Sequence, residues 1–349
     1  MSDKRTVGDA PPDYEIPEER LPEGFVDTVM EVPRVPAVPR ASATVVVVRE
    51  GAGGGGGPAR SGAQRGAERP SGAERPSGAA RPDAQRGPEG EGRPEVLLLR
   101  RNRATGFVPG AWVFPGGRVD AADGEAEMAE RWVGLTPEGA AGRLGLGMDA
   151  DPPAIAYYGA AVREVFEETG LLVGWGGGGD GGRDAVSAAD MAGGRARGAA
   201  VADLDEAREA LLGRGVPFSR VLAQLNARLD GTAIEYIAHW VTPVAEPRRY
   251  DTRFFAARVP AGATAVHDER EMTGSVWLTP RAALERHREG HLPMIFPTIR
   301  TLEDLCGFVT VGDLLAHYRY RPVPRVQPEI VRTATGVALR VVSAARRLR

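Results

Sequence analysis

Arg163-Glu164-Val165-Phe166-Glu167-Glu168-Thr169-Gly170-Leu171 closes a run, 154–168, that holds no proline and only one glycine, Gly159. Ile155, Tyr158, Val162, Val165 and Phe166 recur at the spacing of one helix face, and Thr169-Gly170 supplies a stop, so a helix is expected here. At about 3.6 residues per turn, Glu164, Glu167 and Glu168 stand at i, i+3 and i+4 and project from one side. Like charges so placed repel, and the ordinary meaning of such a cluster is a solvated face. The apolar opposite face sets these acids at the edge of a packed core instead. There, hard cations such as Mg2+ or Mn2+ turn the repulsion into coordination.

Working outward, 43–49 and 95–100 are β-branched or leucine-rich runs that read as neighbouring strands interrupted by one long loop. Phe114-Pro115-Gly116-Gly117 is a turn, followed by a polar, glycine-containing stretch over 121–153. Downstream, a strand is expected at 171–175, a glycine-rich loop at 176–198 and helices at 204–212 and 218–229. Strands follow at 236–242, 252–259 and 275–278. Pro280 suits a first helical turn and opens a helix at 281–288, with further helices at 297–305 and 311–320. Strands and helices alternate without parallel βαβ regularity, so the fold class is α/β with a mixed sheet.

Residues 51–94 are Gly, Pro, Ala, Arg and Glu with almost no large apolar side chain, and they repeat Arg69-Pro70-Ser71-Gly72-Ala73-Glu74 as Arg75-Pro76-Ser77-Gly78-Ala79. That composition buries too little surface to offset chain entropy, so a disordered insertion is expected. Its glutamates dilute its arginines, which sets aside a nucleic-acid-binding arm. The whole chain has 349 residues, 42% of them hydrophobic, enough for a real core. A formal net charge of −3 argues against a polyanion-binding protein and leaves small charged metabolites open. The single cysteine, Cys306, excludes an internal disulfide and a cysteine-based zinc cluster, so a reducing, cytoplasmic setting is expected. Cys306 itself reads as a buried small hydrophobe. No run approaches membrane-spanning length, and the acidic, proline-rich start lacks the apolar segment of a signal peptide. The organisation is thus an extension over 1–40, a main domain over 41–320 interrupted at 51–94 and 121–153, and a basic tail over 321–349. Arg325, Arg332, Arg340, Arg346, Arg347 and Arg349 crowd that tail, for which a docked helix or a frayed end is the expectation.

The acidic helix after a Phe-Pro-Gly-Gly turn resembles the Nudix box: Gly, five residues, Glu, seven residues, then Arg-Glu-hydrophobic-any-Glu-Glu-any-Gly-hydrophobic. Arg163 through Leu171 match its second half at every defined position. Counted from Gly117, Asp123 stands where the box has Glu, and 39 residues rather than seven separate it from Arg163. The separation implies an insertion before the helix and leaves Asp123 without an assigned role. Leu97-Leu98, Arg101, Gly110 and Phe114-Pro115-Gly116-Gly117 partly follow the upstream motif of the family's coenzyme A diphosphatases, departing at Leu99, Asn102 and Gly106. Trp240-Val241-Thr242-Pro243 and 248–255 are similar to the acyl-coenzyme A diphosphatase branch. That branch's peroxisomal Ser-Lys-Leu address is absent from 346–349, so its localisation is not carried over.

The resemblance implies a Nudix-type α/β/α sandwich with a mixed sheet and extra helices. It implies that Glu164, Glu167 and Glu168 bind Mg2+ or Mn2+, with the Gly116 carbonyl as a further ligand. Arg163 would orient one of the acids by a charge-assisted hydrogen bond. Glu271 is the candidate distal acid or base, with Asp268 and Glu269 behind it, while His267 reads as an exposed loop histidine. Arg101, Arg248 and Arg249 are candidates for pairing with substrate phosphates. The implied reaction is hydrolysis of a nucleoside diphosphate-linked metabolite. Coenzyme A or acyl-coenzyme A is favoured, giving (acyl-)phosphopantetheine and adenosine 3',5'-bisphosphate. ADP-ribose or NADH is the alternative substrate, and a non-catalytic nucleotide-binding module is the alternative class. The partner is a small-molecule diphosphate, and the sequence does not fix the oligomeric state.

Overall fold

Valines on both faces of one strand set the layering. In the computed structural model, which describes residues 13–17, 26, 30, 35–51, 92–102, 109–176, 201–267 and 271–341, β1 (Tyr14–Pro17) precedes the long β2 (Arg40–Glu50). Val45 and Val47 point into one core, with Val46 and Val48 in the other. A strand buried on both faces reads as a continuous apolar run, as this one does. β3 (Pro94–Arg101) repeats the pattern: Leu97 and Leu99 join the first core, Val96 and Leu98 the second.

Short β4 (Trp112–Val113) and β5 (Gly116–Arg118) lead into 121–153, which folds as a 3-10 turn (Ala121–Gly124), α1 (Ala126–Ala129), β6 (Trp132–Val133) and α2 (Pro137–Leu144). The expected polar stretch thus carries its own elements. Met128, Trp132, Leu135, Ala140 and Leu144 bury their side chains in the first core, which anchors it. The helix α3 (Ala154–Thr169) follows, ended by Gly170 in the left-handed region, φ 71°. The strand expected at 171–175 is confined to β7 (Trp175–Gly176); Leu171, Leu172 and Val173 are apolar because they are buried in a turn, not because they pair.

α4 (Val201–Arg214) and α5 (Phe218–Gln224) follow. The helix expected to continue to 229 stops early, because Asn226 adopts φ 48°, which asparagine tolerates, and the chain turns into β8 (Arg228–Asp230). β9 (Ile234–Val241), β10 (Tyr250–Arg258) and β11 (Met272–Leu278) complete the main sheet's long strands. α6 (Pro280–Arg288), α7 (Phe296–Leu305) and α8 (Val311–Tyr318) pack on its second face.

The main sheet has eight strands in the order β11-β3-β2-β10-β9, ending at β12 (Arg325–Val326), with β4 on β3 and β5 on β2. β10 runs parallel to β2 and antiparallel to β9, so the sheet is mixed. With α3 against one face and α6 to α8 against the other, the architecture is the expected α/β/α sandwich. The basic tail is neither a helix nor frayed over its described part. β13 (Glu329–Arg332) and β14 (Gly336–Arg340) form a hairpin whose inward Val337 and Ala338 are buried, and β1 pairs with β14. Arg346, Arg347 and Arg349 lie outside the described residues, as do 52–91, which make up most of the expected disordered insertion. Among the described residues no helix is long and apolar enough to cross a membrane.

The ends of that insertion meet. Gly51 N–H donates to the Arg93 carbonyl at 2.9 Å, and Glu50 pairs with Pro94 across the β2–β3 ladder. Replacing 52–91 by a short glycine-containing turn keeps this register and shortens a closed loop, a change worth on the order of 1 kcal/mol. The thermal midpoint is therefore expected to move by no more than about 4 °C. A larger drop in a melting experiment would show that the segment packs on the fold.

Candidate active site

Arg163 is the hub of the site. It is 8% exposed and spends all five of its N–H donors. Nε and one terminal nitrogen clamp Asp123 at 2.8 and 2.9 Å. The same terminal nitrogen reaches the Arg118 carbonyl at 2.9 Å. The other bonds Glu164 at 2.9 Å and Glu167 at 3.0 Å. Burial works against the cation, but the Asp123 hydrogen bonds and the charges of Glu164, Asp123 and Glu167 outweigh it and push its pKa above the usual arginine value.

Asp123, which the spacing left without a role, is the anchor of this hub and only 3% exposed. It also accepts from the Asp120 N–H at 2.8 Å, which fixes the 3-10 turn that carries it. Gly159 makes the approach possible. A Cβ there would lie 2.5 Å from the Asp123 carbonyl oxygen. The one glycine in the helix, four residues before Arg163, was the sequence signal for this contact.

The three glutamates sit in different surroundings. Glu168 is 6% exposed and accepts the Gly116 N–H at 3.0 Å. Among the described residues it has no ion pair. Burial, then repulsion from Glu164, pushes its pKa well above the usual range; the Gly116 bond and Arg101 oppose this, and Glu271 adds to it. Burial likewise raises Glu164 to about 7 against the pull of Arg163, and raises Glu167. A solvated acidic face would show none of this. Gly117 has no room for a side chain, since a Cβ there would run into the Glu164 carboxylate.

The other candidates divide. Arg101 and Glu271 lie within electrostatic reach of Glu168, and the Asn102 N–H bonds the Glu271 carbonyl at 2.8 Å, which ties the two segments together. The Arg101 Nε is buried with no hydrogen-bond partner among the described residues. Arg248 and Arg249 stand elsewhere, at the start of β10. Tyr250 pairs with Arg40, four residues along β2 from Thr44, which pairs with Gly116. At about 3.3 Å per residue that is roughly 13 Å along β2 from the strand position that meets the Gly-Gly turn. Arg249 is buried and donates to the Thr242 and Ala37 carbonyls. His267 is half-buried rather than exposed, Asp268 and Glu269 lie outside the described residues, and Cys306 is half-buried rather than buried.

One buried network went unread in the sequence. Arg253 bonds the Tyr236 hydroxyl, His239 Nδ1 and the Leu144 carbonyl at 2.9, 2.9 and 3.3 Å, and His239 Nε2 lies 2.7 Å from Asp251. It stitches β9, β10 and the end of α2 together. The alternation of Asp251, Arg253 and Phe255 toward one face was its only signal.

Whether the acids suit a divalent ion is a question of donor chemistry. Carboxylate oxygens are the right donors for Mg2+ or Mn2+, and the raised pKa values mark a site short of positive charge. Among the described residues, however, no three acidic, histidine or cysteine side chains converge tightly enough to cage an ion alone. The donor set therefore suits an ion that completes its shell with water and substrate oxygens.

A mixed sheet between helical layers, with an acid-bearing helix packed behind a Gly-Gly turn, defines a Nudix-type domain. The profile of the NUDT19 Nudix domain matches residues 77–305, and the chain belongs to that Nudix family. It is 30% identical over 251 residues to the acyl-coenzyme A diphosphatase NUDT19 of Gallus gallus, an alignment spanning 63% of each chain. It is 29% identical over 275 residues to the Homo sapiens protein of that name, spanning 69% of each. A Nudix hydrolase structure from Alicyclobacillus acidocaldarius, 24% identical, superimposes with a TM-score of 0.53 over 80% of this chain and 96% of its own, and so shares the fold.

Two outcomes follow from the buried networks. Removing Asp123 as alanine leaves the Arg163 Nε and one terminal nitrogen without their carboxylate while Glu164 and Glu167 still pair with the cation, and is expected to cost about 2–3 kcal/mol in denaturant unfolding, with asparagine, which keeps one acceptor, costing less. A loss below about 1 kcal/mol for the alanine would rule out the hub. In the second network, burial and the Arg253 charge hold the His239 pKa below its usual value against the Asp251 bond. The unfolded chain then takes up a proton where the folded one does not. The stability due to neutral His239 is full above about pH 6.5 and is lost as pH falls through the lower folded value. His239→Gln is expected to flatten the fall in urea midpoint between about pH 7 and pH 5; an unchanged slope would place its origin elsewhere.

Proposed function

We propose that this protein hydrolyses the diphosphate of coenzyme A or an acyl-coenzyme A, releasing (acyl-)phosphopantetheine and adenosine 3',5'-bisphosphate. The observation that carries the reading is Glu168: a buried carboxylate with a raised pKa, no ion pair among the described residues and two further acids beside it. Such an arrangement is unfavourable for a protein that leaves it empty and useful to one that binds a cation and a polyanion. The 30% identity to an acyl-coenzyme A diphosphatase supports the substrate class. The single thiol supports a cytoplasmic setting.

Mg2+ or Mn2+, held by Glu164, Glu167, Glu168 and the Gly116 carbonyl, would supply positive charge opposite the phosphoanhydride oxygens. Arg163 has no donor left for substrate, so it acts as a positioning residue that fixes Glu164 and Glu167. Arg101, with a buried Nε unpartnered among the described residues, is placed to bond a phosphate oxygen. Glu271, within reach of Glu168, takes the proton from the attacking water.

Glu168→Gln tests this at one atom. Glutamine keeps an oxygen for the Gly116 N–H, so the fold is expected to survive. Turnover with coenzyme A and Mg2+ is expected to fall on the order of 100-fold. In the wild type, Mg2+ at ten times its Kd should add about 1.4 kcal/mol of stability, and the variant should lose that gain. Glu206→Gln, exposed on α4, serves as the control. Near-normal turnover of Glu168→Gln would sink the site, while a wild type that prefers ADP-ribose or NADH would sink the substrate.

A further inference from the structure

We propose that the cavity at the paired starts of β2 and β10 is an oxyanion site for a phosphate group, separate from the carboxylate site. Parallel pairing is what builds it. Because β10 runs alongside β2 in the same direction, with Tyr250 opposite Arg40, the residues leading into both strands gather at one end of the sheet. The Arg40 N–H bonds the Arg249 carbonyl at 2.9 Å and closes the floor. The cavity measures about 150 Å³ and is lined by Arg40, Arg248 and Arg249 together with Tyr250, with no acid in its wall among the described residues. At roughly 30 Å³ per water, that is room for a phosphate and its hydration.

The charge balance supports an anion. Arg249 is buried, yet its hydrogen bonds run to the carbonyls of Thr242 and Ala37 and not to a carboxylate. Burial and the nearby Arg325 charge both push its pKa down, so a fourth cation adds to the field. The nearest acid along the strand, Asp251, is engaged with His239. A buried guanidinium beside the Arg325 charge is held at a cost, and a bound oxyanion relieves it. The arginine forks suit a phosphate bidentately. The group is either a phosphate that the substrate carries away from its scissile bond or a free phosphate compound; the first source rests on the diphosphatase reading.

The test is titration calorimetry of inorganic phosphate into the full chain without added divalent cation, repeated on Arg40→Ala/Arg248→Ala. Arg249 is left intact because it holds backbone. Phosphate binding to the wild type that weakens at least tenfold in the double variant supports the site. No binding at millimolar phosphate, or equal binding to both proteins, overturns it. Kinetics then separate the sources: a KM for coenzyme A that rises about tenfold in the variant, with KM for its 3'-dephospho form unchanged, assigns the substrate's own phosphate. Equal KM values with phosphate binding lost assign a free compound. An inactive wild type would count against the diphosphatase reading alone, since the titration needs no turnover.

Discussion

The clamp of Arg163 on Asp123 is the constraint on which the acidic helix depends. It crosses from the helix to a turn 40 positions earlier and occupies both carboxylate oxygens and two nitrogens at 2.8–2.9 Å. What remains of the guanidinium is then aimed at Glu164 and Glu167, so one rigid fork sets the positions of two acids. Lysine could not substitute, because a single ammonium offers neither the plane nor the five donors. The third acid is placed differently, by a backbone N–H of the Gly-Gly turn, and that turn is held by β5 pairing to β2. Helix, turn and sheet are therefore locked to one another through the site itself.

The sheet supplies the frame because its central strands are apolar on both sides. β2 feeds the valines of its second half into both cores, leaving its first half as the place where polar groups collect. Near Thr44 the strand meets the Gly-Gly turn and the acids; at Arg40 it meets the arginines of β10. Negative and positive surroundings are thus separated along a single strand.

Much of this was legible in the sequence. The 3.6-residue recurrence of Ile155, Tyr158, Val162 and Val165 marked the helix, and the β-branched run in 43–49 marked the central strand, because each pattern records burial directly. That Glu164, Glu167 and Glu168 share one side of the helix was readable from spacing; the metal-binding role came from the family resemblance. The Asp123 contact was not, since the folded insertion separates two partners that touch. That Arg249 serves the backbone carbonyls of Thr242 and Ala37 was not legible, because a guanidinium so engaged leaves the same letter as one serving a substrate. The apolar run 171–173 mimicked a strand while packing as a turn, and the β-hairpin of the tail was obscured by its arginines, which say nothing about backbone pairing.

Gly159 carries a consequence for how this protein can change over generations. Its missing side chain exists only to admit the Asp123 carbonyl. Alanine there should be harmful while the turn is in place, yet a mid-helix alanine is ordinarily the better helix former by about 1 kcal/mol. If the turn were shortened or re-routed, that sign would reverse and alanine would become the favoured residue. The side chain that position 159 can carry is therefore set by the path of residues 120–124, and a change at one alters what the other tolerates.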